Sequence, residues 1–304
     1  MRIVVFGSDI RILPCLQALA KKGHTLNVVF VHPGKKAEFQ SFSSETGVKV
    51  EEPEDPNSQE VKKWFSSQPT DVMILAQYGK ILKPEMIRQA KMMCMNLHAG
   101  KLPDYRGCSP LNWALINGDK TFTLTINQVV TEVDAGDILL EKKFHIAKDD
   151  TIRDLHHMAM EQFPIMILNV LDKIKKKSLS PIPQKTSRIR YFPPRFPDDG
   201  LIVWDIYTAQ QIHNRIRALT EPYPGAFIYY KGRKVKLLSS QLNDFPFLGE
   251  PGRIYRKNGK GILVCASDGC LWITKAVFAD GASSFLKAIS CYERLATLRD
   301  GLIP

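Results

Sequence analysis

Short apolar runs rich in β-branched residues alternate with amphipathic stretches in the first part of this chain. The apolar runs cover residues 2–6, 26–31, 72–75 and 93–97, and the helix-like stretches cover residues 10–22, 57–67 and 84–89. This order is typical of β-α-β units, which place helices on both faces of a mostly parallel sheet. It predicts an α/β fold with a Rossmann-like sheet, whose ligands bind at the carboxyl ends of the strands.

The C-terminal part of the chain has a different pattern. Apolar spacing predicts a long helix over residues 151–174, and the Pro-, Ser- and Arg-rich residues 181–197 are typical of a linker or wrapping loop. A helix at 208–219 and short strands at 226–230, 235–239, 261–265 and 271–276 are predicted to follow. Small β-barrel-like, OB-like domains have this pattern. We therefore predict two domains, residues 1–184 and 185–304.

Composition narrows the class of protein. With 304 residues, 44% of them hydrophobic and 24% charged, the chain is typical of globular proteins. No apolar run reaches the roughly 18 residues of a membrane span, and the N-terminus turns polar too early for a signal peptide. We therefore expect a cytoplasmic protein that does not enter a membrane. The six cysteines form no CxxC pair, which favours buried free thiols over metal or redox sites.

The charge of the chain indicates an anionic partner. The formal net charge is +11, and residues 185–304 carry 18 Lys and Arg against 10 Asp and Glu, a difference of +8. Nucleic acid and a phosphorylated small molecule both fit such an excess. A basic surface also serves solubility alone, so the charge does not decide between them. The sequence does not determine the oligomeric state and leaves a homodimer open.

Two common kinds of cofactor site lack their usual spacing. Gly7, which follows the first strand, is not accompanied by the other glycines of a dinucleotide fingerprint, so we interpret it as a tight turn. The acidic residues 132–137 match neither the HExxH pattern nor an EF-hand. We therefore expect that neither a nicotinamide nor a metal takes part.

Asn96 and His98 lie two residues apart at the end of a predicted strand, so their side chains point to the same face of the sheet. An imidazole can take a proton from an amine near neutral pH, and an amide can donate to a developing oxyanion. The loop that carries Asp134 adds a carboxylate to orient the imidazole. A strand-end histidine is more often structural, so the pair alone leaves both interpretations open.

Arg106 lies in the loop after this strand, shortly before the helix-like residues 109–113. Its guanidinium could fork onto a phosphate or a carboxylate. The alternative is a surface ion pair with Asp104.

Three segments together resemble the folate-dependent formyltransferases: residues 96–98, the Leu-Pro loop at 99–107 and residues 134–137. The resemblance covers nearly the whole chain. It implies that Asn96, His98 and Asp134 form a catalytic triad that transfers the formyl group of 10-formyltetrahydrofolate. It also implies a folate pocket built largely from backbone groups of Gln77, Tyr78, Gly79, Lys80, Ile81, Val130, Thr131, Glu132 and Val133.

The same resemblance bears on the acceptor. The Lys-Leu-Pro form of the loop, the helix at 112–118 and residues 223–227 resemble nucleotide-sugar N-formyltransferases, such as the domain acting on UDP-4-amino-4-deoxy-L-arabinose. We therefore predict a nucleotide-linked aminosugar of surface polysaccharide biosynthesis as the acceptor, contacted by Lys101, Arg106 and Tyr223. Cys108 stands where that enzyme's loop has a second arginine, so the phosphate contacts are expected to differ.

The resemblance implies that His98 takes the proton of the attacking amine, Asn96 donates to the oxyanion, and Asp134 fixes the imidazole and relays a proton to the leaving nitrogen. Methionyl-tRNA formylation is the alternative, favoured by the charge of residues 185–304. A formyltetrahydrofolate hydrolase and a non-catalytic protein that binds folate or a nucleotide are two further alternatives. The intact triad argues against the non-catalytic one.

Overall fold

The computed structural model describes residues 1–185, 189–281 and 284–297. Contacts divide the chain into two compact units that are not contiguous in sequence. The first unit comprises Met1–Pro110, Phe122–Phe144 and His156–Pro193, and the second comprises Leu111–Thr121, His145–Leu155 and the chain from Pro194 onward. This division differs from the single predicted boundary between residues 184 and 185, because Leu111–Thr121 and His145–Leu155 belong to the second unit.

The strands of the first unit are β1 (Arg2–Gly7), β2 (Thr25–Phe30), β3 (Val50–Glu51), β4 (Thr70–Ala76), β5 (Ala90–His98), β6 (Arg106–Gly107), β7 (Thr121–Gln128), β8 (Ile138–His145) and β9 (Tyr191–Phe192). Those of the second unit are β10 (Ala226–Tyr230), β11 (Arg233–Leu242), β12 (Ile254–Asn258), β13 (Gly261–Cys265) and β14 (Cys270–Phe278). The helices are α1 (Leu13–Lys21), α2 (Gln40–Thr46), α3 (Gln59–Ser67), α4 (Pro84–Ile87), α5 (Pro110–Ile116), α6 (Ile152–Lys175), α7 (Ala209–Leu219) and α8 (Phe285–Ala288). Short 3-10 turns cover Ile10–Ile12, Lys36–Phe39 and Pro197–Gly200.

The first unit is built on a seven-stranded sheet with the order β3-β2-β1-β4-β5-β7-β8. Strands β1 to β5 pair in parallel, and β7 pairs antiparallel to β5. The predicted mostly parallel α/β sheet is confirmed. Strands β7 and β8 were not predicted. The polar residues of β7 are buried rather than exposed: Thr123, Thr125 and Asn127 are all inside.

An aromatic cluster forms part of the core on one face of this sheet. Phe6 of β1 is fully buried and stacks on Phe30 of β2 with ring centroids 4.9 Å apart. Phe65 of α3 and Tyr78, which follows β4, complete the contacts of its ring. Phe65 of α3 and Met86 of α4 belong to the same buried cluster, so both helices cover this face of the sheet.

The second unit contains a five-stranded antiparallel sheet with the order β10-β11-β14-β13-β12. The small C-terminal β-domain predicted from the short strands is confirmed as such a sheet. Thr208 caps α7 by accepting from the Gln211 amide, and Gln211 in turn accepts from the Thr208 amide. This reciprocal pair satisfies two amides that the helix itself leaves unbonded.

Cys265 and Cys270 lie opposite each other in the β13–β14 pair and form a disulfide. The prediction that all six cysteines are buried free thiols is therefore wrong for this pair, because the antiparallel register brings the two together. Cys15 and Cys94 are buried and free, as predicted, whereas Cys291 is free and exposed.

The segment predicted as a linker or wrapping loop follows the surface of the first unit before it enters the second. Ile182 exchanges two backbone hydrogen bonds with Ile138 at the start of β8, and β9 pairs in parallel with β6. Residues 186–188 of this segment lie outside the described residues. The described parts on both sides are thus hydrogen-bonded to β8 and to β6.

Within the described part of the chain, no helix combines the length and the apolar character needed to cross a bilayer.

We expect Phe6→Ala to lower the free energy of unfolding by about 3–5 kcal/mol, because it removes a buried ring that three other aromatic rings contact. Urea unfolding followed by fluorescence and circular dichroism measures the change. Phe245→Ala is the matched control, since that ring is 78% exposed and its loss should change the stability by less than about 0.5 kcal/mol. Equal effects of the two substitutions would contradict the assigned core.

Candidate active site

Strand β5 brings Asn96 and His98 to the carboxyl edge of the sheet. Its register with β7 pairs Asn96 with Asn127 and His98 with Thr125. Because alternate residues of a strand face the same side, the two side chains share one face, as the sequence predicted. His98 is only 5% exposed, so its ring is held within the protein rather than in solvent.

The imidazole of His98 has two different neighbours. Its Nε2 lies 2.6 Å from the carbonyl oxygen of Tyr105, and its Nδ1 lies 3.6 Å from Oδ2 of Asp134. A carbonyl oxygen can only accept a hydrogen bond, so Nε2 carries a proton. In the neutral ring Nδ1 is then the basic nitrogen, and it faces a carboxylate that would stabilise a proton placed there.

The carboxylate of Asp134 is held at both oxygens. Oδ1 accepts from the Asn96 amide at 3.2 Å, and Oδ2 accepts from the backbone amide of Gly107 at 2.9 Å. Asp134 itself has φ +54°, in the left-handed region that costs most residues roughly 1–2 kcal/mol. The contacts of its side chain help to offset that cost and aim the carboxylate at His98.

Three glycines make this arrangement sterically allowed. Gly107 has φ +95°, and a Cβ there would overlap the carbonyl of Phe192. A Cβ on Gly136 would overlap the carbonyl of Gln128, and one on Gly100 would lie 2.8 Å from Nε2 of His98. The loops can therefore approach His98, β7 and β9 this closely only where no side chain intervenes.

The amide of Asn96 is also oriented by its surroundings. Its Nδ2 donates to Asp134 and, over a longer 3.4 Å, to Oδ1 of Asn127. Asn127 is almost fully buried and donates to the backbone oxygen of Gln128. The contact with Asn127 is longer and therefore weaker. Asn96 could give up this contact and donate to a reacting oxygen while it keeps the bond to Asp134.

The two segments predicted to line a folate pocket approach a common part of the core. Tyr78, after β4, and Val129, after β7, pack against the same apolar cluster. Burial raises the pKa of the Tyr78 phenol to about 12, and its hydroxyl is buried without a hydrogen-bond partner. Apolar side chains that follow in both segments are nevertheless exposed, namely Ile81, Val130 and Val133. An apolar ligand would cover them.

The residues predicted to contact the acceptor lie in different surroundings. Lys101 is largely exposed and pairs with Asp104 at 2.7 Å. Arg106 is only 3% exposed and pairs with Glu132. Its guanidinium is therefore not open to a phosphate, and the ion pair that it forms is with Glu132 rather than Asp104. Tyr223 belongs to the second unit. Burial and the charge of Asp134 raise the pKa of the Cys108 thiol, which therefore stays neutral near pH 7.

Sequence reasoning missed three parts of this site: Asn127, the backbone amide of Gly107 and Gln184. Alternating polar and apolar residues over 121–128 would have predicted a strand with Asn127 on the face of Thr125. No sequence signal marks the other two, because a backbone amide has no residue type and Gln184 lies in a segment without periodicity. Among the residues that the structure describes, no three His, Cys, Asp or Glu side chains come together as a metal site.

Comparison with known sequences identifies the family. A formyl transferase model matches residues 1–171, and a formyl transferase C-terminal domain model matches residues 196–289. The methionyl-tRNA formyltransferase of Ruminiclostridium cellulolyticum is 32% identical over 289 residues, which covers 91% of this chain and 92% of that protein. That of Moorella thermoacetica is 30% identical over 283 residues, covering 90% of each chain.

Comparison with solved structures agrees on the fold. The N-formyltransferase from Helicobacter canadensis, solved with folinic acid and dTDP-3-aminofucose, superposes with a TM-score of 0.72 at 17% identity. The alignment covers 90% of this chain and 99% of that one. The family models and the two sequence relatives together show that this chain belongs to the formyl transferase family.

Proposed function

We propose that this folate-dependent N-formyltransferase moves the formyl group of 10-formyltetrahydrofolate to the amine of a nucleotide-linked aminosugar. The observation that carries the proposal is the cluster of Asn96, His98 and Asp134 at the end of β5. The Asp134 carboxylate lies 3.2 Å from Nδ2 of Asn96 and 3.6 Å from Nδ1 of His98. An amide donor, an imidazole and a carboxylate are the groups that acyl transfer to an amine requires.

The transfer exchanges one carbon–nitrogen bond for another. The acceptor amine attacks the formyl carbon, the bond between that carbon and the folate nitrogen breaks, and the proton lost by the amine ends on the folate nitrogen. No oxidant, reductant or metal is needed for this balance. The protein therefore has to orient the amine, stabilise negative charge on the formyl oxygen and move one proton.

His98 is the group that handles the proton. With Nε2 bound to the carbonyl of Tyr105, the basic Nδ1 takes the proton of the attacking amine or hydrogen-bonds that amine through one water. The Asp134 carboxylate, 3.6 Å away, stabilises the imidazolium that results. The same pair then returns the proton to the leaving nitrogen.

Asn96 is the donor to the formyl oxygen. Its Nδ2 exchanges the 3.4 Å contact with Asn127 for the oxygen on which negative charge develops, and it keeps the bond to Asp134. A preorganised donor of this kind typically contributes about 100-fold to 1,000-fold in turnover.

The formyl donor binds along the segments after β4 and β7. Ile81, Val130 and Val133 offer exposed apolar surface for its ring system, and the buried hydroxyl of Tyr78 offers a polar group without a partner. Backbone groups of Gln77, Gly79, Lys80, Thr131 and Glu132 complete the proposed pocket.

The choice of an aminosugar rests on the loop and helix that follow β5. Lys101 is exposed beside the catalytic strand and is a suitable cation for a diphosphate, and Tyr223 is proposed as a further contact. Arg106 is buried and donates to Glu132 and Gln184, so in this proposal it supports the loop and does not contact the sugar nucleotide.

Methionyl-tRNA is the second candidate acceptor, and two observations favour it. Both sequence relatives described above are methionyl-tRNA formyltransferases. Residues 185–304 carry an excess of eight positive charges, from 18 Lys and Arg against 10 Asp and Glu. Direct competition between the two acceptors is therefore the decisive measurement.

We expect His98→Asn and Asp134→Asn each to lower kcat by about 100-fold or more while leaving folate binding unchanged, because both residues handle the proton rather than bind the donor. Steady-state kinetics with titration calorimetry of the folate measure the two effects. His157→Asn is the matched control, since that ring is 71% exposed and its pair with Glu161 is at the surface. Activity within tenfold of wild type for both site variants would refute the mechanism.

We expect the enzyme to formylate UDP- or dTDP-linked aminosugars and not charged initiator tRNA. Each acceptor is incubated with 10-formyltetrahydrofolate and the product is identified by mass spectrometry. Binding is titrated at several salt concentrations, where a tRNA complex should weaken with a logarithmic slope of about 0.9 per phosphate contacted and a sugar nucleotide much less. Efficient formylation of tRNA, with no aminosugar turned over, would establish the alternative instead.

A further inference from the structure

The loop that carries Asp134 is held by a side chain that has no part in the chemistry proposed above. Nε2 of Gln184 donates to the backbone oxygens of Asp134 and Gly136, both at 2.7 Å. Its Oε1 accepts from Nε and Nη2 of Arg106, at 3.2 and 2.9 Å. One neutral amide thus uses both its hydrogens and its acceptor oxygen to join three segments that are far apart in sequence.

Arg106 extends this connection to the other side of the loop. Its Nη1 donates to Glu132 at 2.8 Å, and the next residue, Gly107, donates its amide to the Asp134 carboxylate. The guanidinium is buried, so its contact with Gln184 is little weakened by competing water, whereas Glu132 is largely exposed. Arg106 and Gln184 therefore hold the loop on either side of the carboxylate.

The segment that carries Gln184 is itself anchored. Ile182, two residues earlier, exchanges backbone hydrogen bonds of 2.8 and 2.9 Å with Ile138. Tyr191 and Phe192, further along, pair with Arg106 and Gly107 as β9 and β6. The segment is thus bonded to β8 and to the loop after β5, and Gln184 ties the Asp134 loop to this anchored segment.

We propose that Gln184 is a positioning residue for formyl transfer, which acts by fixing the backbone at Asp134 and Gly136 so that the carboxylate faces His98. The proposal rests on the proposed role of Asp134. Asp134 holds a left-handed backbone conformation that residues other than glycine adopt infrequently, so without its two carbonyl contacts the loop is free to relax to another conformation. A displacement of about 1 Å at a catalytic group can lower the rate on the order of 100-fold.

The test compares Gln184→Ala and Gln184→Glu with Lys185→Ala, the exposed neighbour in the same segment. Gln184→Glu keeps an acceptor for Arg106 but turns a carboxylate oxygen towards two carbonyl oxygens. We expect both Gln184 variants to lower kcat by roughly 10-fold to 100-fold with little change in either KM, and Lys185→Ala to match wild type. The assay uses 10-formyltetrahydrofolate with the aminosugar nucleotide or charged tRNA that the wild-type enzyme formylates.

Hydrogen–deuterium exchange gives a readout that does not depend on turnover. Gln184→Ala should accelerate exchange in a peptide covering residues 129–137 and leave β1 and β4 unchanged. Faster exchange throughout the first unit would show a general loss of stability instead, and unchanged exchange at 129–137 together with full activity would overturn the proposal.

A double-mutant cycle separates this inference from the proposed function. If Gln184 acts through Asp134, then adding Gln184→Ala to Asp134→Asn should lower kcat no further. Additive losses would overturn the positioning role. An active Asp134→Asn variant would remove the proposed function itself, and an inactive Asp134→Asn beside a fully active Gln184→Ala would remove only the role of Gln184.

Discussion

The site depends on the placement of one carboxylate. Asp134 lies on a loop rather than on β5, its backbone has a left-handed conformation with φ +54°, and its Oδ2 lies 3.6 Å from Nδ1 of His98. The Gly107 amide and the Asn96 side chain bind its two oxygens, so the cost of that conformation is offset by charge-assisted hydrogen bonds. Bonds to a buried, fixed carboxylate in turn set the orientation of Asn96 and the environment of Nδ1 of His98.

The reversal of strand direction in the sheet makes this placement available. Strands β1 to β5 are parallel and present their carboxyl ends together, whereas β7 runs antiparallel to β5. The last residue of β7, Gln128, pairs with Met95 of β5, so the loop that leaves β7 starts beside Met95. From this starting point the loop reaches Asn96, whose side-chain amide donates to the Asp134 carboxylate.

The junction between β5 and β7 also contains buried polar side chains. Thr125 donates its hydroxyl to the carbonyl of Gly100 at 2.7 Å, and Asn127 accepts from Asn96. Each of these contacts satisfies a group that would otherwise be costly to bury. Together with Gln184 and Arg106 they give the loops around His98 few alternative conformations, which is the condition for a preorganised site.

The sequence alone determined the βα order of the first unit, the small β-domain and the shared face of Asn96 and His98, because local periodicity governs which side chains of a strand point together. Strands β7 and β8 were not predicted, although the alternation over residues 121–128 is typical of a strand, and the disulfide depends on the strand register. The convergence of Asp134, Gly107 and Gln184 was decided by tertiary structure. Gln184 lies 50 residues from Asp134 and bonds its backbone oxygen, a group that every residue possesses.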